Sequence, residues 1–214
     1  MKKIYLSTGN RKLKSSKDVK FLIWNLPAIK TCPFATEHCK ALCYAVKAER
    51  MYKEVLSCRE NNLAESKKKS FVMDMYSVIS DYLRKPSYKA TNKIYFRIHE
   101  SGDFYNQEYF DKWVDISRAF PNVTFLAYTK SIRYVLDTEK KIPENMIIRF
   151  SLWDDTKATE KAIADNLQLC TYTAEHLTQE AVNKLGDRFC ECKDCGTCRK
   201  CYSKEVKHIV TEIH

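Results

Sequence analysis

Cys32, Cys39 and Cys43 form a Cys-x6-Cys-x3-Cys segment that ends in Cys43-Tyr44-Ala45, in a 214-residue chain with ten cysteines. Three thiolates can hold three irons of a four-iron cluster and leave the fourth open to a substrate or cofactor; a fully ligated metal mainly holds structure. Cys39 and Cys43 lie four apart and are expected on one helix face with Leu42 and Val46, with Cys32 approaching from the preceding loop. His38, beside Cys39, points elsewhere and makes a poor fourth ligand for zinc. A second group, Cys190, Cys192, Cys195, Cys198 and Cys201, falls within twelve residues. The Cys195, Cys198, Cys201 rhythm is that of bacterial ferredoxins, whose fourth ligand is a more distant cysteine, here Cys170, or else Cys190 or Cys192. Zinc held by Cys192, Cys195, Cys198 and Cys201 is the alternative. Cys58 reads as a small buried hydrophobe.

The elements that must position these thiols change character along the chain. Residues 1–31 read as irregular, with a strand-like Ile4-Tyr5-Leu6 and a further apolar piece, Phe21-Leu22-Ile23-Trp24. From about Thr36 to Leu83 the apolar period is helical, with a second amphipathic helix over Ser70–Tyr82 ended by Pro86. The period then alternates. Strands are expected at Ile94–Ile98, Val123–Ala127 and Met146–Phe150, with helices at Tyr105–Phe120, Ser131–Lys140 and Lys157–Asn166, and a further strand at Leu167–Leu169. This alternation predicts an α/β fold, a partial or compact (β/α) barrel-like parallel sheet with a Cys-rich metal-binding C-terminal tail. A single domain over 1–214 is expected, its α/β core over 1–185 and the tail over 186–214 packed on it.

Ligands of parallel sheets bind at the carboxyl ends of the strands. Those ends read His99-Glu100-Ser101-Gly102-Asp103-Phe104, Tyr128-Thr129-Lys130-Ser131 and Ser151-Leu152-Trp153-Asp154-Asp155. Glu100, Asp103 and Lys130 are the candidate catalytic groups. Gly102, Asp103 and Ser151 are the candidate cofactor contacts, Gly102 because it lets backbone approach a ligand. Ser131 and Asp155 read as ordinary helix caps.

The composition sets the setting. A net charge of +10 suits nucleic acid or another polyanion as partner, and equally a lysine-rich solvated surface. No signal peptide or membrane-length apolar run is visible, so a cytoplasmic protein without membrane contact is expected. Reduced cytosolic thiols at this density favour metal over disulfides.

Four passages resemble a phage-encoded domain family, the one named for mycobacteriophage gene product eighty-eight. They are Leu6-Ser7-Thr8-Gly9-Asn10-Arg11-Lys12-Leu13, Thr31-Cys32-Pro33 through Cys43-Tyr44-Ala45, Arg97-Ile98-His99-Glu100-Ser101-Gly102-Asp103-Phe104, and Phe125-Leu126-Ala127-Tyr128-Thr129-Lys130-Ser131; Cys198-Arg199-Lys200-Cys201 fits as well. The order of features is also similar to radical S-adenosylmethionine (SAM) enzymes, in which a three-cysteine loop precedes a glycine-plus-acid turn that binds the methionine amino group. That resemblance implies a [4Fe–4S] cluster at Cys32, Cys39 and Cys43, SAM on the open iron, and Gly102-Asp103 in the turn's place. The gaps differ: six and three here, against three and two in those enzymes. Two functions are expected from this. One is a radical-SAM-like enzyme acting on nucleic acid or a nucleotide. The other is a non-enzymatic iron–sulfur or zinc protein that binds nucleic acid or a host protein. One or two clusters are compatible with the cysteine count.

Overall fold

The structure, a computed structural model, describes residues 4–167, 169–191 and 193–212. Six strands, β1 (Val19–Trp24), β2 (Lys93–Ile98), β3 (Val123–Thr129), β4 (Met146–Leu152), β5 (Thr171–Glu175) and β6 (His208–Glu212), lie side by side in chain order. Every neighbouring pair is parallel, and the sheet curls as a half barrel. Parallel neighbours need crossovers. The first carries α1 (Glu37–Ala41), α2 (Tyr44–Met51), α3 (Lys53–Ser66), α4 (Phe71–Arg84) and α5 (Pro86–Lys89). The next three carry α6 (Gln107–Ala119), α7 (Ile132–Leu136) and α8 (Ala158–Asn166). The last carries α9 (Gln179–Leu185), α10 (Cys195–Cys198) and two 3-10 turns. The two cysteine groups thus occupy the first and the last crossovers.

Period-two alternation sorts the strand residues onto two faces. Leu22, Trp24, Phe96, Ile98, Phe125, Ala127 and Met146 pack against Phe71, Met75 and Ile79 of α4 and Phe110, Trp113 and Val114 of α6. The opposite face carries Phe21, Ile23, Tyr95, Leu126, Ile147 and Ile209, and it is covered by Leu13 and by Cys190, Cys201 and Tyr202 of the tail. The Cys-rich crossover is therefore part of the core on this face, and its chain continues into β6.

Arg149 holds that cover in place. It projects from β4 onto the tail-covered face, is fully buried, and has no carboxylate among its described partners. Its Nε donates to Cys201 O at 2.9 Å, and its two terminal nitrogens donate to the carbonyls of Thr171, Lys207, Lys200 and Ser203. A guanidinium can serve so many acceptors because it offers five donors in a rigid fork.

The structure corrects several sequence expectations. Ile4–Leu6 is not a strand, and Ser7 makes only an isolated bridge to Ile23. The strand of that region is β1, which contains Phe21–Trp24. The helical stretch from Thr36 to the expected helix at Ser70 is broken twice, into α1, α2 and α3, and Pro86 opens α5 rather than merely ending α4. Helix Ser131–Lys140 shortens to α7. Leu167 is the C-cap of α8, and the strand expected at Leu167–Leu169 starts instead at Thr171.

Arg149→Met is expected to leave several tail carbonyls without a donor. Each unsatisfied buried acceptor costs about 1–3 kcal/mol, so a loss of about 3–5 kcal/mol is expected in urea unfolding. A loss under about 1 kcal/mol would contradict the clamp.

Candidate metal centre

Cys32, Cys39 and Cys43 lie in the crossover that leaves the carboxyl end of β1. Thr31, buried, donates its hydroxyl to Pro27 O and fixes the turn before Cys32. Gly102 sits against this turn at φ 86°, where a Cβ would come 2.6 Å from Thr31 Oγ1 and 2.7 Å from Leu26 Cβ. Glycine there lets the β2 rim close on the cysteine loop. Burial first, then the Asp103 carboxylate, pushes the Cys32 thiol up to about 12, and the Cys39 and Cys43 sulfurs are near enough to add to that shift.

Cys39 and Cys43 do not share one helix face as expected. Cys39 lies in α1, Leu42 caps its end, and Cys43 is the extended N-cap of α2. Two anchors pull the helices apart. His38 at the start of α1 is tied to the β4 rim, with its Nδ1 2.7 Å from Asp154 Oδ1 and its N–H donating to Asp155 Oδ2 at 2.9 Å. Tyr44 at the start of α2 instead donates its hydroxyl to Glu100 O on the β2 rim. Asp155 is thus a tether to the cysteine loop rather than an ordinary cap, and Ser131 donates its hydroxyl to Phe104 O.

The rim residues are drawn into one network. Asp103 is buried and accepts from Thr129 Oγ1 at 2.6 Å, Lys130 N at 2.9 Å and its neighbour Phe104 N at 2.7 Å. Burial raises its pKa, and these three hydrogen bonds oppose that rise. Its carboxylate therefore joins the β2 and β3 rims under the cysteine loop. Lys130 Nζ reaches Ser151 Oγ at 2.9 Å, which links β3 to β4. Glu100 accepts from Asn10 Nδ2, and its N–H donates to Asn25 Oδ1 at 2.8 Å. A cleft of about 370 Å³ beside this rim is lined by His38, Trp153, Asp154, Lys161, Glu175 and His176.

His99, the first residue after β2, is buried at φ 62°. Trp24 Nε1 donates to Tyr109 Oη at 2.8 Å, and the same hydroxyl shares a hydrogen bond with His99 Nε2, 2.8 Å away. Burial, helped by Arg97, lowers the His99 pKa to about 3.

The tail forms a second thiol group. Cys190 Sγ lies 3.9 Å from Cys198 Sγ, Cys190 also hydrogen-bonds Cys201, and Cys195 feels both Cys190 and Cys198. Cys170 stands just before β5, where its carbonyl accepts from Phe150 N, and Cys58 lies within α3. Cys192 lies outside the described residues. Among the described residues, the non-glycine residues with positive φ, Ile29, His99 and Arg199, stand before Cys32, just after β2, and between Cys198 and Cys201. Sequence reasoning offered Cys190 only as an alternative to Cys170 for the tail group, and it missed Arg149 as the clamp. The alternation Ile147, Arg149 was the available signal for the clamp.

Fold and site together define an α/β half-barrel protein with two cysteine groups, one on the strand-end rim and one on the sheet's inner face. The family model described as Gene product 88 matches residues 4–209, so the chain belongs to the Gene product 88 family. It is 26% identical over 186 residues to the Gene 88 protein of Mycobacterium phage L5, covering 78% of this chain and 77% of that protein. It is 34% identical over 103 residues to the Gene 88 protein of Mycobacterium phage D29, covering 47% of this chain and 42% of that one. No solved structure matches. No described helix is long and apolar enough to cross a membrane.

His99 makes the fold acid-sensitive. Its folded pKa lies below the unfolded value of about 6.5, so its stabilisation is complete above that pH and is lost as pH falls from there toward 3. His99→Asn, which tolerates the positive φ, is expected to lose about 2 kcal/mol less than the wild type between pH 7 and pH 5 in urea unfolding. Parallel pH dependences would rule this out.

Proposed function

We propose that Cys32, Cys39 and Cys43 hold a [4Fe–4S] cluster with one iron open, in a radical-SAM-like arrangement. The observation that carries this reading is the gathering of three thiols in one crossover at the strand-end rim, each on its own turn. Cys39 and Cys43 are near enough to Cys32 to raise its pKa, and three thiols on separately anchored turns fit separate irons of a cluster. The donor set fits as well, being three half-buried thiols with no disulfide.

When bound, the cluster and SAM supply one-electron chemistry, and the protein's part is to bind, orient and exclude water. Gly102 lets the rim backbone approach the cysteine loop. Asp103 fixes that turn through its three donors and acts as a positioning residue. Lys130 and Ser151 are the polar side chains available to a carboxylate or ribose, and Glu100 is the acid available to an amine. The substrate class is nucleic acid or a nucleotide, supported by the +10 charge.

Anaerobic reconstitution is expected to give about four irons with equal sulfide at this site, lost in Cys32→Ser, Cys39→Ser and Cys43→Ser. Reduction of the loaded protein with SAM should then release 5′-deoxyadenosine; a loaded, reduced protein that releases none would sink the SAM reading. Binding to single-stranded nucleic acid should weaken steeply between 50 and 200 mM salt, by about tenfold or more. Salt-independent binding, or none, would remove the nucleic-acid assignment.

A further inference from the structure

We propose that Cys190, Cys195, Cys198 and Cys201 bind one zinc ion as four thiolates, a structural centre independent of the cluster at Cys32. Zinc with four sulfurs at about 2.3 Å in a tetrahedron places neighbouring sulfurs about 3.8 Å apart. Cys190 Sγ and Cys198 Sγ stand at 3.9 Å, and Cys190 also touches Cys201. In a four-iron cluster each thiolate rides on its own iron, so the sulfurs do not touch. As the side chains stand, no three of these thiols lie within 4.8 Å of one another, so closing the tetrahedron requires a rotation about at least one Cα–Cβ bond.

The backbone is built like a zinc knuckle. Asp194 caps the one-turn α10 by accepting from Gly196 N and Thr197 N, which places Cys195 and Cys198 at Cys-x2-Cys spacing. Arg199 follows at φ 55°, and this turn lets Lys200 N–H donate to Cys198 sulfur. Cys190 is brought in by its N–H bond to Val210 O on β6, and Cys201 by Arg149 on its carbonyl. Hydrogen bonds of this kind orient thiolate ligands and stabilise their charge.

The charges agree. Zinc with four thiolates carries a net charge of −2. The Arg97 guanidinium, stacked 3.7 Å over the Tyr128 ring, acts on Cys195, and Arg149 acts on Cys201. Arg149 is fully buried, and its described acceptors are neutral carbonyls. Two guanidinium groups beside four thiols fit an anionic centre better than four neutral thiols. On binding, zinc displaces the thiol protons to solvent, and the four S–Zn bonds close the last crossover on itself.

The test is metal analysis and zinc-edge X-ray absorption on the full-length purified protein. About one zinc per chain with four sulfurs at about 2.3 Å is expected. Zinc should persist in Cys32→Ser and Cys170→Ser and fall to near zero in Cys190→Ser. Failure of the Cys32 cluster leaves these results unchanged, so the two readings fail separately. Nitrogen or oxygen in the zinc shell, retention of zinc in Cys190→Ser, iron with sulfide at the tail, or a metal-free Cys190–Cys198 disulfide would overturn the assignment. If Cys190→Ser does not fold, the wild-type zinc spectrum decides alone.

Discussion

A buried guanidinium organises one whole face of this protein. Arg149 lies in the middle of β4, where an apolar side chain would ordinarily stand, and it draws the carbonyls of Lys200, Cys201, Ser203 and Lys207 down onto the sheet. Burying such a charge is costly unless hydrogen bonds replace water. The tail supplies those bonds, and in return the tail is fixed to one place. Tyr202 and Cys201 are thereby pressed onto Phe21, Tyr95 and Tyr128, and that face of the sheet is closed.

The opposite end of the strands is organised by a buried carboxylate. Asp103 joins the β2 and β3 rims, Gly102 lets the Thr31 turn sit on them, and His38 and Tyr44 fasten the two short helices that carry Cys39 and Cys43. Each cysteine of the trio is therefore held from a different anchor. In the tail, one turn of helix and a knuckle bring Cys190 and Cys198 into contact at 3.9 Å. That contact, set against the separate anchors of the trio, is the physical basis for assigning the two groups different metals.

Much of this was legible in the sequence where the pattern was strong. The strands β2, β3 and β4 and helix α6 follow from clean periods, and the rim residues follow from the strand ends. β1 was hidden because it follows an irregular segment and is buried on both faces, so Phe21–Trp24 shows no alternation. β5 and β6 are short and half polar, with Thr171, Thr173, His208 and Glu212 among their residues, and tertiary pairing overrides so weak a signal. The helix break between Cys39 and Cys43 is set by partners more than fifty residues away, Glu100 and Asp154, which no local reading could supply. Cys190 ranked behind Cys170 as the fourth tail ligand because its place depends on β6.

The central claim is that the Cys32 loop holds a cluster with a vacancy. Anomalous diffraction at the iron edge, from crystals grown anaerobically, tests it most directly. The account predicts iron density bounded by the sulfurs of Cys32, Cys39 and Cys43, beside Gly102, with no fourth cysteine on it. Iron density closed by a tail cysteine, or absent from this loop, would contradict it.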